Sequence, residues 1–310
     1  MYRPMYRYVL AVALGLCCAL PAQAQDNAVW RGVGVLAGGK GYVTTPMGEL
    51  HYRDIGPRDT AAPYLLLHQS PWSMVEFAEI QNEMAAQGYR AVAVDTPGYG
   101  LSDPPRSQPN VEALADNLIP LLDALKIKKV VLGGHHTGAS IAVVFAARHP
   151  DRVAAVLIHG IPYYTADERA ARAASKAAPR ELASDGSHLT NGFKSALAGL
   201  SDSPDGASKT AENLRTATWA AMNRYILAAD SGREAVITYD LEPALKKIKV
   251  PTLVLTDTQD SLHDMDLRTV KLRPDFAFTE FSKGSLLSLI SDPKRWAGIA
   301  LDFARSKAGK

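Results

Sequence analysis

Apolar residues along the chain fall into two alternating rhythms. Short blocks rich in β-branched residues and leucine occur at Tyr64 to His68, Ala91 to Asp95, Val130 to Gly133, Val153 to His159 and Val250 to Thr256. Such continuous blocks predict strands buried on both faces. Between them, apolar positions recur at helical spacing. Phe77, Ile80 and Met84 mark one helix, and Trp296, Ile299, Ala300 and Phe303 mark another near the end. Val111, Leu114, Leu118, Leu121 and Leu125 mark a third, which Pro120 kinks because its ring removes an N–H and crowds the preceding turn. Strands separated by helices predict parallel pairing through right-handed crossovers, an α/β fold. Ahead of them, Gly41 to Thr45 and Leu50 to Asp54 read as extended segments joined by a hairpin turn at Met47-Gly48-Glu49.

One stretch departs from this rhythm. From Tyr163 to about Leu245 there is no strand pattern, only alanine-rich helical sequence such as Glu168 to Ala178 and Thr216 to Ala229, separated by loops such as Ser201 to Gly206. The expected organisation is therefore a core over residues 25–162, a helical cap over 163–245, and the rest of the core over 246–310. A separate helical domain fits less well, because no linker frames the segment on both sides.

Residues 1–24 have another character. Arg3 and Arg7 form a basic start, Val9 to Leu20 is unbroken apolar sequence, and Ala22-Gln23-Ala24 follows Pro21 as a small-x-small cleavage site. The apolar run falls short of the roughly 20 residues a membrane span needs. A cleaved signal peptide is expected, with a mature chain that is periplasmic or secreted and keeps no integral membrane anchor. Both cysteines, Cys17 and Cys18, lie inside it, so the mature chain would have neither a disulfide nor a thiol nucleophile. The leader also carries two arginines and no acid, so the net charge of +2 falls to zero on processing. Neither nucleic acid nor an anionic membrane is then expected as a partner. A composition of 47% hydrophobic and 21% charged residues suits a globular protein with a sizeable core.

The chemistry concentrates at Gly134-His135-His136-Thr137-Gly138, directly after Val130-Val131-Leu132. This has the form of a nucleophile elbow, a sharp strand-to-helix turn that holds its central side chain exposed above the sheet. The flanking glycines suit a corner too tight for a Cβ. The central residue, normally Ser, Cys or Asp, is His136.

With the elbow in place, the mature chain resembles the α/β-hydrolase superfamily over nearly its whole length. Leu65-Leu66-Leu67-His68-Gln69-Ser70-Pro71-Trp72 is similar to the strand and oxyanion loop usually written H-G-x-P. Asp95-Thr96-Pro97-Gly98-Tyr99-Gly100-Leu101-Ser102-Asp103 is similar to the D-x-P-G-x-G-x-S motif of capped members, which include epoxide hydrolases, haloalkane dehalogenases and carbon–carbon bond hydrolases. Val250-Pro251-Thr252-Leu253-Val254-Leu255 leads to Asp260, in the manner of the loop that carries the triad acid. Asp292-Pro293-Lys294-Arg295-Trp296 resembles the start of the terminal helix. The resemblance implies a mostly parallel twisted sheet with helices on both faces and a helical cap; it does not imply one reaction.

The chain departs from that pattern twice. The triad histidine would fall at Ser285 or Leu286, yet the last histidine in the chain is His263. With His136 at the elbow, both the alkyl-enzyme and the ordinary acyl-enzyme routes are closed. The remaining chemistry uses His136 as a general base, or as a nucleophile, with Asp260 orienting its ring if it spans the gap. Thr137 and Gln69 are the expected backbone donors to an oxyanion. Asp257, Asp264 and Asp266 crowd Asp260 as solvated loop acids. His135 packs under the elbow, His68 orients the oxyanion loop, and His263 sits at the surface. Tyr163, Tyr164, His188 and Trp72 are candidates to line a pocket. No metal-ligand spacing occurs, and adjacent His135 and His136 should point apart from a turn. No G-x-G-x-x-G occurs either, so no cofactor is expected. The function expected is hydrolysis, or a related lyase reaction, of a small and fairly apolar molecule. The alternative is a catalytically inactive protein that keeps the pocket and binds a small molecule.

Overall fold

The computed structural model describes residues 38–308, apart from 61, 176–181, 202–213, 215–217, 219–220, 223–230 and 283–287. The expected signal peptide, most of the helical piece from Thr216 to Ala229, and the positions Ser285 and Leu286 lie outside the described residues.

Eight strands form one sheet in the order β1-β2-β4-β3-β5-β6-β7-β8. β1 (Lys40–Thr45) and β2 (Gly48–Ile55) make an antiparallel hairpin that closes with Thr45 opposite Gly48, and β2 then runs antiparallel to β4 (Ala91–Val94). From β4 onward every pairing is parallel, through β3 (Tyr64–Leu67), β5 (Val130–His135), β6 (Val153–His159), β7 (Thr252–Asp257) and β8 (Ala277–Ser282). β8 is absent from the sequence expectation. It is an edge strand with Phe278 and Glu280 exposed and Phe281 buried, so it lacks the two-sided apolar block of its neighbours.

The sheet is buried on both faces because successive side chains go opposite ways. Leu65, Leu67, Val130, Leu132, Val156 and Ile158 join one core cluster with Ile141, Val144 and Phe145 of the helix Thr137–Arg148. Tyr64, Leu66, Val131, Leu157, Leu253 and Leu255 join the other, with Phe77, Ile80, Met84 and the terminal-helix residues Trp296, Ala300 and Leu301. The helices in chain order are α1 (Ala78–Ala86), α2 (Val111–Asp116), α3 (Ile119–Ala124) and α4 (Thr137–Arg148), followed by α5 (Ala166–Ala174), α6 (Ser187–Ser201), α7 (Ser231–Thr238) and α8 (Glu242–Lys247). After β7 come α9 (His263–Leu272), a helical turn at Ser288–Ser291, and α10 (Pro293–Ala308). The kink expected at Pro120 is a full break between α2 and α3, because the proline ring is incompatible with the carbonyl one turn earlier, at Asp116. Between β6 and β7 the described segments are helical, and α5 starts on a reciprocal capping box in which Thr165 and Glu168 take each other's backbone N–H. No helix among the described residues is long and apolar enough to cross a membrane.

Candidate functional site

The elbow occupies the single residue between β5 and α4. His136 has φ 48° and ψ −109°, a conformation that L residues rarely adopt and that persists only when the surroundings impose it. Its N–H donates to the His159 carbonyl of β6 at 3.0 Å, and its carbonyl accepts from Ser140 N–H at 3.2 Å. A Cβ on Gly138 would run into the Leu67 carbonyl, and one on Gly134 into the Gly138 carbonyl, so both glycines serve close approach.

The side chain thrown upward by this turn meets the loop after β7. His136 Nε2 lies 2.8 Å from Asp260 Oδ2, and Asp260 Oδ1 accepts Leu262 N–H at 2.8 Å. The Asp260 side chain is fully buried, whereas the His136 ring keeps 14% of its surface accessible. Burial works against the Asp260 carboxylate, but His136, through its charge when protonated and its hydrogen bond, together with the Leu262 N–H, holds its pKa well below the ordinary range. Gly160, at the end of β6, makes the pairing possible. It has φ +63°, and a Cβ there would stand 2.5 Å from His136 Cδ2, 2.6 Å from Nε2 and 2.7 Å from Asp260 Oδ2. With Nε2 facing Asp260, the other ring nitrogen, Nδ1, has no hydrogen-bond partner among the described residues.

Beneath the elbow lies a buried polar cluster. His135 Nδ1 is 2.6 Å from Glu76 Oε1, which also accepts from Gln69 Nε2 at 3.0 Å, while Glu76 Oε2 accepts Gln69 N–H at 2.9 Å. Burial pushes Glu76 up to about 7, against the pull of these donors. Burial, then the neighbouring His136 and His159, keep His135 well below its ordinary value, so its imidazole is neutral. This cluster corrects the role expected of Gln69: its backbone N–H is turned onto Glu76 and is not available to an oxyanion. The next amide, Ser70 N–H, donates to Thr137 Oγ1 at 3.3 Å and so ties this loop to the start of α4. Thr137 opens α4, where its N–H has no partner within the helix and the helix dipole favours negative charge. Tyr99 ties the cap to this corner, because its OH accepts Gly232 N–H of α7 at 3.0 Å and lies 3.0 Å from Ser70 Oγ.

The other candidates are accounted for by their partners. His68 accepts Thr96 N–H at Nε2 (3.0 Å) and donates from Nδ1 to the Gln69 carbonyl (2.7 Å), which fixes its tautomer and the loop. His263 caps nothing but contacts Thr256 Oγ1 at 3.1 Å and is half-buried. Tyr163 is buried with its OH on Glu242, Tyr164 and Trp72 are buried, and His188 Nδ1 accepts Ala183 N–H at 3.0 Å. Of the acids expected to be solvated, Asp264 is exposed but Asp257 and Asp266 are sealed in. Asp257 contacts Ser288 Oγ and lies 3.1 Å from His159 Nε2; Trp296 Nε1–H donates to His159 Nδ1 at 3.1 Å. Asp266 Oδ1 accepts Ile161 N–H at 2.8 Å, and burial raises its carboxyl to about 8. A further correction concerns the two adjacent histidines. They do not diverge: their ring centroids are 4.3 Å apart, and a nitrogen from each lies within 4.8 Å of the other and of an Asp260 oxygen.

Residues 63–273 match the family described as the alpha/beta hydrolase fold. The chain belongs to the α/β-hydrolase fold family. Its relatives include a bifunctional esterase/perhydrolase of Acinetobacter calcoaceticus, 30% identical over 236 residues, 72% of this chain and 83% of that one. They also include a non-heme chloroperoxidase of Streptomyces lividans, 35% identical over 125 residues, 39% of this chain. The chain spans less than half of that protein, 45%. Among solved structures, the enol-lactonase of Burkholderia xenovorans superposes with a TM-score of 0.64 at 23% identity, covering 85% of this chain and 99% of the other.

Proposed function

We propose that the chain is an exported hydrolase, needing no organic cofactor, that cleaves a small and fairly apolar carbonyl compound with a histidine–aspartate pair. His136 Nδ1 takes a proton from water, the hydroxide adds to the substrate carbonyl, and the proton passes to the leaving group as the tetrahedral species collapses. Asp260 accepts Nε2–H and offsets the charge of the imidazolium. The oxyanion is held by the Thr137 N–H at the start of α4. The observation that carries this reading is the 2.8 Å contact of His136 Nε2 with Asp260, reached from a strained elbow that leaves Nδ1 unpaired. A base is favoured over a nucleophile because an acyl-imidazole would need another base to resolve it. Support for hydrolysis comes from the family and from the esterase/perhydrolase relative. Support for export is the Arg3 to Ala24 leader pattern.

The test is turnover of short-chain esters and lactones by the wild type and by His136→Ala. General-base catalysis is worth roughly 10²–10⁴-fold, and the variant should lose that much. Undiminished turnover in His136→Ala would sink the mechanism. The second reading, a protein that binds without reacting, is favoured by the residue at the elbow, which is none of the usual nucleophiles. It expects ligand retention with no turnover. N-terminal sequencing of exported protein should begin at Gln25, and an intact leader in the membrane fraction would refute processing.

A further inference from the structure

We infer that His135, His136 and Asp260 form a binding site for one divalent transition-metal cation of the zinc class. The two ring nitrogens and the carboxylate oxygen already lie within 4.8 Å of one another. The decisive atom is His135 Nε2. It is fully buried, and no donor or acceptor reaches it among the described residues. Glu76 engages Nδ1 of the same ring at 2.6 Å, so Nε2 is the nitrogen left to face His136 and Asp260. A carboxylate behind a histidine is the arrangement that fixes the tautomer and orientation of metal-binding imidazoles. Here it is found with an unpaired lone pair in front of the ring.

The donor set selects the cation. Two imidazoles and one carboxylate suit zinc and its neighbours, whereas magnesium and calcium favour all-oxygen shells. Donors around tetrahedral zinc stand roughly 3.4 Å apart, so the three must draw together on loading. The His136 ring keeps 14% of its surface accessible while the other two side chains are sealed, so it is the group with room to shift. A cation here takes the place of the hydrogen between His136 Nε2 and Asp260, and the ring hydrogen then sits on Nδ1. The loaded protein therefore loses the base on which the hydrolytic reading depends, and the two occupancies of the pair exclude each other.

The experiment is a titration of untagged, chelator-treated full-length protein with zinc chloride, followed by metal analysis after gel filtration. Cobalt chloride is run in parallel for its visible absorption, and magnesium chloride as the contrast. One equivalent of zinc per chain is expected, with no response to magnesium. His136→Ala and Asp260→Asn should each weaken binding at least 100-fold. Glu76→Gln should weaken it 10- to 100-fold by releasing the His135 ring. Far-ultraviolet circular dichroism and the unfolding midpoint of each unloaded variant establish that the fold survives. No stoichiometric zinc in the wild type, or zinc bound equally by His136→Ala and Asp260→Asn, overturns the site. The hydrolytic reading fails separately: zinc uptake without ester turnover in the metal-free protein leaves the cation site standing, and turnover without zinc uptake does the reverse.

Discussion

Replacing Gly160 by alanine inserts one methyl group where His136 meets Asp260. The Cβ would stand 2.5 Å from His136 Cδ2, while carbon atoms pack at about 3.5–4.0 Å. The ring must therefore retreat by roughly 1 Å, which stretches the 2.8 Å contact with Asp260 past hydrogen-bonding range. The backbone at φ +63° adds strain of about 1–2 kcal/mol for a residue with a Cβ. A displacement of about 1 Å in a catalytic group costs on the order of 100-fold in rate. Gly88→Ala is the control: that glycine also has positive φ, +83°, but a Cβ there meets nothing within 4 Å. Urea unfolding and ester turnover are measured on both variants. Both should lose about 1–2 kcal/mol from the backbone, Gly160→Ala somewhat more from the overlap, and Gly160→Ala alone should lose turnover by about 100-fold. If both variants turned over substrate like the wild type, the pair would not be the working unit and the reasoning would fail.

Three further outcomes follow from the same geometry. His136→Ala and Asp260→Asn should be strongly non-additive in turnover, because the acid acts through the ring; additive losses would separate them. Asp266, raised to about 8, holds its proton more tightly folded than unfolded, where its pKa is about 3.9. Its contribution to stability is therefore complete below pH 4 and declines toward pH 8 by at most about 1.4 kcal/mol per unit. Asp266→Asn should remove that decline, so its unfolding midpoint gains on the wild type as pH rises from 5 to 8, and parallel curves would refute the assignment. Serine-directed phosphonates should not label the protein, since the elbow offers no hydroxyl nucleophile. Stoichiometric label on any serine, found by peptide mapping, would contradict this.

The fold was legible because five of the central strands are apolar blocks and the turn glycines sit at fixed offsets from them. β8 was not, since an edge strand half open to solvent carries no such block. At the site, the elbow and Asp260 could be read from motif order. The redirection of Gln69 could not, because it depends on Glu76 folding back from a 3-10 turn, Met74–Phe77, to take the amide. A signal existed all the same: Glu76 is an acid inside the apolar run Met74-Val75-Glu76-Phe77, and such residues are buried only with partners. The burial of Asp257 and Asp266 is hidden from the sequence for a related reason. Composition cannot tell that α9 starts three residues after Asp260, at His263, and carries Asp266 inward with Met265 and Thr269.

The elbow that carries His136 is sewn to the middle of the sheet. His136 N–H is bound to the His159 carbonyl, and Gly160 N–H to the Leu255 carbonyl at 3.4 Å, so the elbow, β6 and the acid strand are joined by amides continuing the parallel ladder. Central ladders open last in hydrogen exchange, often at the free energy of global unfolding, while surface loops open early. The His136 amide should therefore exchange among the slowest in the protein, despite lying in a turn. Heat inactivation would then follow the melting of the sheet itself, with no lower temperature at which the fold survives and the site has come apart.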